Sequence, residues 1–264
     1  PTYFYLFDST DTRRDVTCAA YNVGANGTVK TGQAITAICD GKYRRDWVTN
    51  PVISPTNAVQ YLGLKWQILR YADVMLMFAE AENELNGPTA AAYDAVNKIR
   101  RRGYGKPINT PDATVDLPAG LSKAQFFDAV VKERSLELCG EGVRKFDLIR
   151  WNLLASKIAA TKAALLAMST ASAPYNTLPT SMYYITNTTS DNNNMGGLWF
   201  NSLYKPAPGT TPAGTTKVAW ISAAINTTAL SRYATGFTTG KSELLPIPQP
   251  ARDANVNLTQ NPGY

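Results

Sequence analysis

The chain has 264 residues, 44% hydrophobic, 17% charged and 10% aromatic, and its 26 Lys and Arg against 20 Asp and Glu give a net charge of +6. That length and apolar share suffice for one large core or two small ones, which excludes disorder as the main state. There is no histidine, which removes Ser-His-Asp and Cys-His catalytic sites and every His-ligated metal site.

No apolar run reaches the ~18 residues that a membrane helix needs. The basic residues come as short groups, Arg13-Arg14, Arg44-Arg45 and Arg100-Arg101-Arg102. They form no cationic stripe of the kind that tracks a phosphate backbone, so nucleic acid is not an expected partner. Cys18, Cys39 and Cys139 are too scattered for a zinc site. Cys18 and Cys39 can pair in an exported protein or remain thiols, and both readings stay open. The chain opens at Pro1 without a start Met or a signal segment, so a processed or truncated piece is expected.

Residues 1–60 form a polar lead-in with little periodicity, read as loops and one or two short strands. Residues 69–168 form the helical core. Leu69, Ala72, Leu76, Ala79 and Asn83 recur at spacings of three and four, and Val74, Met75, Met77 and Phe78 widen the apolar surface. The spacing predicts a helix buried on several sides. Asn86-Gly87-Pro88 stops it. A second helix follows with Ala92, Val96 and Ile99 inward, closing at Arg100–Arg102 and Gly103. The pair matches one tetratricopeptide unit of about 34 residues, and a lone unit must pack on something else.

A third helix starts at a capping box, Ser122 with Gln125, flanked by a Leu121–Phe126 staple. Gly140 and Gly142 bracket Glu141 and should break it. Helicity is expected to resume with Val143, Phe146, Ile149 and Leu153 on one side and to run to about Met168. Residues 169–242 are a variable loop region rich in Asn, Thr, Ser, Gly and Pro, with strand-like pieces at 182–185 and 217–221. Residues 243–264 are too proline-rich for helix and should lie as an extended tail.

The densest charge runs from Glu133 and Arg134 through Glu137, Glu141, Arg144 and Asp147 to Arg150. Carboxylates one helical turn apart admit a glycoside hydrolase reading with Glu133, Glu137 or Glu141 as acid and base. Pairs such as Glu141–Arg144, Glu141–Lys145 and Asp147–Arg150 favour a structural ion network instead.

Several of these stretches carry a resemblance. Arg70–Ala81, Asn97–Arg102, Glu133–Leu138 leading into Glu141–Trp151, and Leu245-Pro246-Ile247-Pro248 with Gln260–Tyr264 are similar, in order, to motifs of the SusD/RagB family of Bacteroidetes nutrient-binding outer-membrane lipoproteins. A weaker echo lies at Asp8–Arg14. The resemblance implies a mainly α fold of tetratricopeptide-like helical pairs with long irregular loops and a few short strands. It also implies that residues 1–264 are a C-terminal domain, with the family's N-terminal half and its lipid anchor absent.

The function implied is non-catalytic binding of glycans at the cell surface for starch or glycan utilisation. Such a protein serves a SusC-like TonB-dependent transporter in the outer membrane. Oligosaccharide platforms need exposed rings, and the candidates are Tyr43, Trp47, Trp66, Trp199 and Trp220, with Tyr183 and Tyr184 beside them. Trp47 and Trp199 have the most polar loop context. Trp151 reads as core. No cofactor is expected. Asp191-Asn192-Asn193-Asn194 offers oxygen ligands for calcium, but a polar turn is the better reading. A tetratricopeptide-type scaffold that binds protein is the remaining alternative.

Overall fold

The computed structural model describes residues 1–24, 29–44, 65–186 and 197–264, and these are mainly α-helical with a few short strands. The lead-in carries more structure than its weak periodicity predicts. A 3-10 turn over Thr2–Leu6 precedes α1 (Arg13–Thr17). Four short strands follow: β1 (Cys18–Ala19), β2 (Tyr21–Val23), β3 (Lys30–Gly32) and β4 (Cys39–Asp40). β1 pairs antiparallel with β4, and β2 with β3. The register sets Cys18 opposite Asp40 and Ala19 opposite Cys39. Cys18 is buried and Cys39 exposed, as are both positions of β1 and both of β4, respectively. No disulfide links them.

The helix pair forms as the spacing predicts, except that Leu69 lies ahead of the first helix and is exposed. α2 (Tyr71–Asn86) buries Ala72, Leu76, Ala79 and Asn83 and stops at Gly87, whose φ of +80° only glycine adopts without strain. α3 (Ala90–Gly103) begins at Thr89, whose hydroxyl accepts from the Ala92 N–H at 3.3 Å. α4 (Lys123–Glu137) starts at the full capping box of Ser122 and Gln125. Phe126 and Val130 of α4 close one core against Leu76, Ala79, Val96 and Ile99. The other face of α2 stays open. Tyr71, Val74, Met77, Phe78 and Leu85 are exposed, so the helix is not buried on several sides.

The region after α4 departs from the expected continuous helix. α5 (Arg144–Arg150) ends at Trp151, and α6 (Leu154–Ser169) begins afresh after Asn152 takes a φ of +54°. In α5 the buried residues are Asp147 and Leu148, while Phe146 is 69% exposed. A seven-residue helix that turns a carboxylate toward Arg134 cannot also turn Phe146 inward.

The strand-like pieces pair as β5 (Ser181–Tyr184) and β6 (Thr216–Ala219). They join a second core in which Phe4, Phe7, Ile35, Met168, Met182 and Trp220 meet. Within the tail, α7 (Gln249–Ala254) is helical where an extended course was expected. Its proline lies in the first turn, where a missing N–H costs no hydrogen bond. Gln260 accepts from the Ile247 N–H at 2.7 Å and donates to the Ile247 carbonyl at 3.1 Å, closing the tail on itself.

Phe126 is fully buried, so Phe126→Ala is expected to cost about 3–5 kcal/mol in urea denaturation. Phe146→Ala should stay within about 0.5 kcal/mol. A comparable loss in both variants would contradict this assignment of faces.

Candidate functional site: a buried ion network beneath an exposed ring pair

The last turn of α4 is buried on every side, carrying Glu133, Arg134 and Glu137 between the two cores. Buried carboxylates must find cationic partners, and here they come from distant segments. Arg13 donates to Glu133 at 2.6 Å and Glu137 at 3.1 Å, and holds Asp11 at 2.7 Å. Arg70, just before α2, donates to Glu137 at 2.5 Å and Glu141 at 2.7 Å. Lys42 donates to Glu141 and to the Glu137 carbonyl.

The Arg100–Arg102 triplet divides three ways. Arg100 reaches Glu133 at 3.1 Å, Arg101 pairs with Asp116, and Arg102 pairs with Glu137. Gly103 then lets Arg13 pass, since a Cβ there would collide with its guanidinium. The Gly103 carbonyl accepts from the Thr12 N–H at 2.9 Å and hydroxyl at 2.8 Å.

A second set joins α2, α4 and α5. Arg134 bonds Asp73 at 2.7 Å and Asp147 at 2.8 Å. Arg150 bonds Asp147 at 2.9 Å and both oxygens of Glu80. Trp151 donates to Glu80 at 2.7 Å and lies 4.3 Å beneath the Arg150 guanidinium.

Two expected helical pairs do not form. Glu141 meets neither Arg144 nor Lys145, because positive φ at Gly140 and Gly142 swings it toward Arg70 and Lys42. Arg144 donates to the Val131 carbonyl at 3.0 Å, and burial lowers its pKa. The Asp147–Arg150 pair is present. Sequence spacing missed Arg13, Lys42 and Arg70. Arg13 and Arg70 had one signal, their place in the similar motifs, and Lys42 had none.

Burial alone would raise the Glu137 carboxyl, but the Arg102 and Arg70 guanidiniums outweigh it and hold the group below 4.5. Glu141 is likewise lowered, burial being outweighed by hydrogen bonds from Arg70 and Lys42.

Directly beside this network, Tyr43 stacks on Trp66 with centroids 5.2 Å apart and planes at 28°. Trp66 is 52% exposed and stands next to Gly142, where a Cβ would lie 3.6 Å from its ring. Burial and the Glu141 carboxylate raise the Tyr43 phenol.

The other ring candidates lie elsewhere. Trp220 is 1% exposed and donates to the Tyr5 hydroxyl at 2.6 Å, so it is a core residue with no face for a ligand. Trp199 is half-buried, edge-on to Trp220 at 5.5 Å and to Tyr184 at 6.1 Å. Tyr183 is buried. Trp47 and the Asp191–Asn194 run lie outside the described residues.

The SusD family profile matches residues 6–264 of the chain. This chain belongs to the SusD family. It is 45% identical over 87 residues to SusD-like protein P25 of Formosa agariphila, covering 33% of this chain and 15% of that protein. SusD-like protein P38 of the same organism is 36% identical over 103 residues, covering 39% of this chain and 18% of that protein. A crystal structure of a SusD homolog from Bacteroides thetaiotaomicron is 26% identical with a TM-score of 0.49, covering 97% of this chain and 41% of that one. The SusD-family chain thus spans less than half the length of that homolog, and its matches span under a fifth of those two curated relatives.

Removing the Glu137 charge leaves Arg13, Arg70 and Arg102 without their shared partner. Glu137→Gln is therefore expected to cost about 3–5 kcal/mol in urea denaturation. The pH dependence has a definite sign. Glu137 and Glu141 sit below 4.5 when folded, so the unfolded chain binds the more protons. Their stabilisation is complete above pH ~4.5 and is lost as pH falls through the folded values. Melting curves between pH 7 and 3 should fall steeply below about 4.5 and less steeply in Glu137→Gln. Parallel curves would refute the linkage.

Proposed function

We propose that this chain supplies a glycan-binding surface to a nutrient-uptake system at the outer membrane and catalyses no reaction itself. The single observation that carries the proposal is the Tyr43–Trp66 pair. Two stacked rings present a flat apolar face of the kind that covers the C–H face of a sugar. Arg70, Lys42 and Glu141 below them pair with one another and hold the two ring-bearing segments in place. Family membership supports the same reading, with an oligosaccharide as ligand, a SusC-like TonB-dependent transporter as partner and a lipid-anchored position on the cell surface.

The glycoside hydrolase alternative has less support. A general acid needs a raised carboxyl, and Glu137 and Glu141 are lowered. Glu133, Glu137 and Glu141 are each buried and already bonded to cationic side chains. Among the described residues no helix is long and apolar enough to cross a membrane. The scaffold alternative draws on the outward face of α2, where Tyr71 is 77% and Leu85 80% exposed. That face suits a protein contact and complements the sugar reading.

Calorimetry against a panel of oligosaccharides tests the assignment. Tyr43→Ala and Trp66→Ala are expected each to weaken binding about tenfold, or ~1.4 kcal/mol, without lowering the melting temperature. Trp220→Ala should instead lower the melting temperature. Full affinity in both ring variants, or reducing ends released by the native protein and lost in Glu133→Gln, would overturn the proposal.

A further inference from the structure

A cavity of about 240 Å³ lies between the Thr2–Leu6 turn, the β1–β4 pair and the corner after α4. Cys18 and Cys139 line it from segments far apart in the chain, with Tyr3, Phe4 and Ile35 among its other walls. Two links bring these thiols to one spot. Asp40 lies directly opposite Cys18 in the β1–β4 register, so their side chains share a face. The Asp40 carboxylate in turn lies against Gly140, the residue after Cys139, where a Cβ would collide with its Oδ2. Gly140 takes a φ of +76°, so a glycine both makes the turn and lets the corner approach the strand pair. Tyr3 is the second link. Its hydroxyl donates to the Ser135 carbonyl at 2.9 Å, and the phenol is a hydrogen-bonding neighbour of the Cys139 thiol.

Cys18 is buried and Cys139 half-buried, and both carry thiols. Burial pushes Cys18 up to about 12, with a further rise from nearby Cys139, and burial raises Cys139 too. Both therefore keep their protons near neutral pH. Cys39 also borders the cavity and is exposed. The register sets it opposite Ala19, so its side chain stands on the other face of the strand pair from Cys18.

We propose that Cys18 and Cys139 form a redox-sensitive clamp, joined by an oxidant of the low-mass disulfide class, that fastens the lead-in to the end of α4. Cys139, the more accessible of the two, attacks first as its thiolate. Its Sγ–S bond forms, the S–S bond of the oxidant breaks, and the departing thiol takes the electron pair and the Cys139 proton. Cys18 then attacks the Cys139 sulfur and expels the second thiol, which takes the Cys18 proton. The protein loses two hydrogens, and the oxidant becomes two thiols. The new bond closes a loop of about 120 residues, which restricts the unfolded chain. It lies near Lys42, which holds Glu141 of the same corner. A junction tied by ions thus gains a covalent tie.

The test is oxidation of the 264-residue chain with hydroxyethyl disulfide, alkylation in denaturant without reductant, and peptide mapping. The native chain should yield a Cys18–Cys139 link at least about tenfold in excess of a Cys18–Cys39 link. A sample oxidised in concentrated urea should show the reverse, because closure favours a loop of about 20 residues over one of about 120. Cys39→Ser should link as the native chain does, and the linked form should melt roughly 5–10 °C above the reduced form. The proposal is overturned by a native link ratio no different from that in urea, by a mixed disulfide on Cys139 that never closes onto Cys18, or by a linked form that melts no higher than the reduced one.

Discussion

The structure depends on one requirement, that the carboxylates buried at the end of α4 be matched by guanidinium and ammonium groups from other segments. Glu133 and Glu137 stand where the two apolar cores meet, 1% and 4% exposed. An unpaired charge there would cost several kcal/mol. Arg13, Arg70, Arg100 and Arg102 answer it from the lead-in, the entry to α2 and the end of α3. Each pairing fixes the position of a separate stretch of chain. Apolar packing fills the two cores, and the network sets how their elements meet. Arg is suited to this because its planar fork serves two carboxylates at once, as Arg70 does for Glu137 and Glu141.

The same charges place the surface that faces solvent. Arg70 is held by Glu137 and Glu141, and Trp66 lies shortly before it in the chain. Lys42 is held by Glu141, and Tyr43 is the next residue. The glycine-bracketed turn carrying Glu141 also brings Gly142 beside the Trp66 ring. Two aromatic residues from different segments are thus set side by side by the groups that anchor α4. A buried network with few degrees of freedom is a rigid base for a shallow binding face, and rigidity limits what ordering costs on association.

Local signals were legible where they act within a few residues. The Ser122–Gln125 box, the stop at Gly87, the inward stripe of α2 and the break at Gly140–Gly142 all follow from backbone chemistry that needs no distant partner. The pieces at 182–185 and 217–221 were legible as strands to within a residue or two at each end. Side-chain fate was harder to read. Phe146 reads as core by spacing but points outward, since Asp147 must reach Arg134. Trp220 reads as a loop ring but lies in a core built from the far end of the chain, against Phe4 and Tyr5. Glu141 has cations three and four positions away and uses neither, because the glycines around it redirect the backbone.

The sequence by itself determined the ends of α3 and α4, the stop of α2, the Ser122 cap and the family, because these rest on short-range patterns and ordered motifs. Only the tertiary structure decided which cation answers which carboxylate and which rings reach solvent. Those choices depend on segments far apart in the chain. The physical reason is that burial is a property of the assembled cores. The residues it affects most, Glu137 and Trp220 among them, carry no local mark of where they end up.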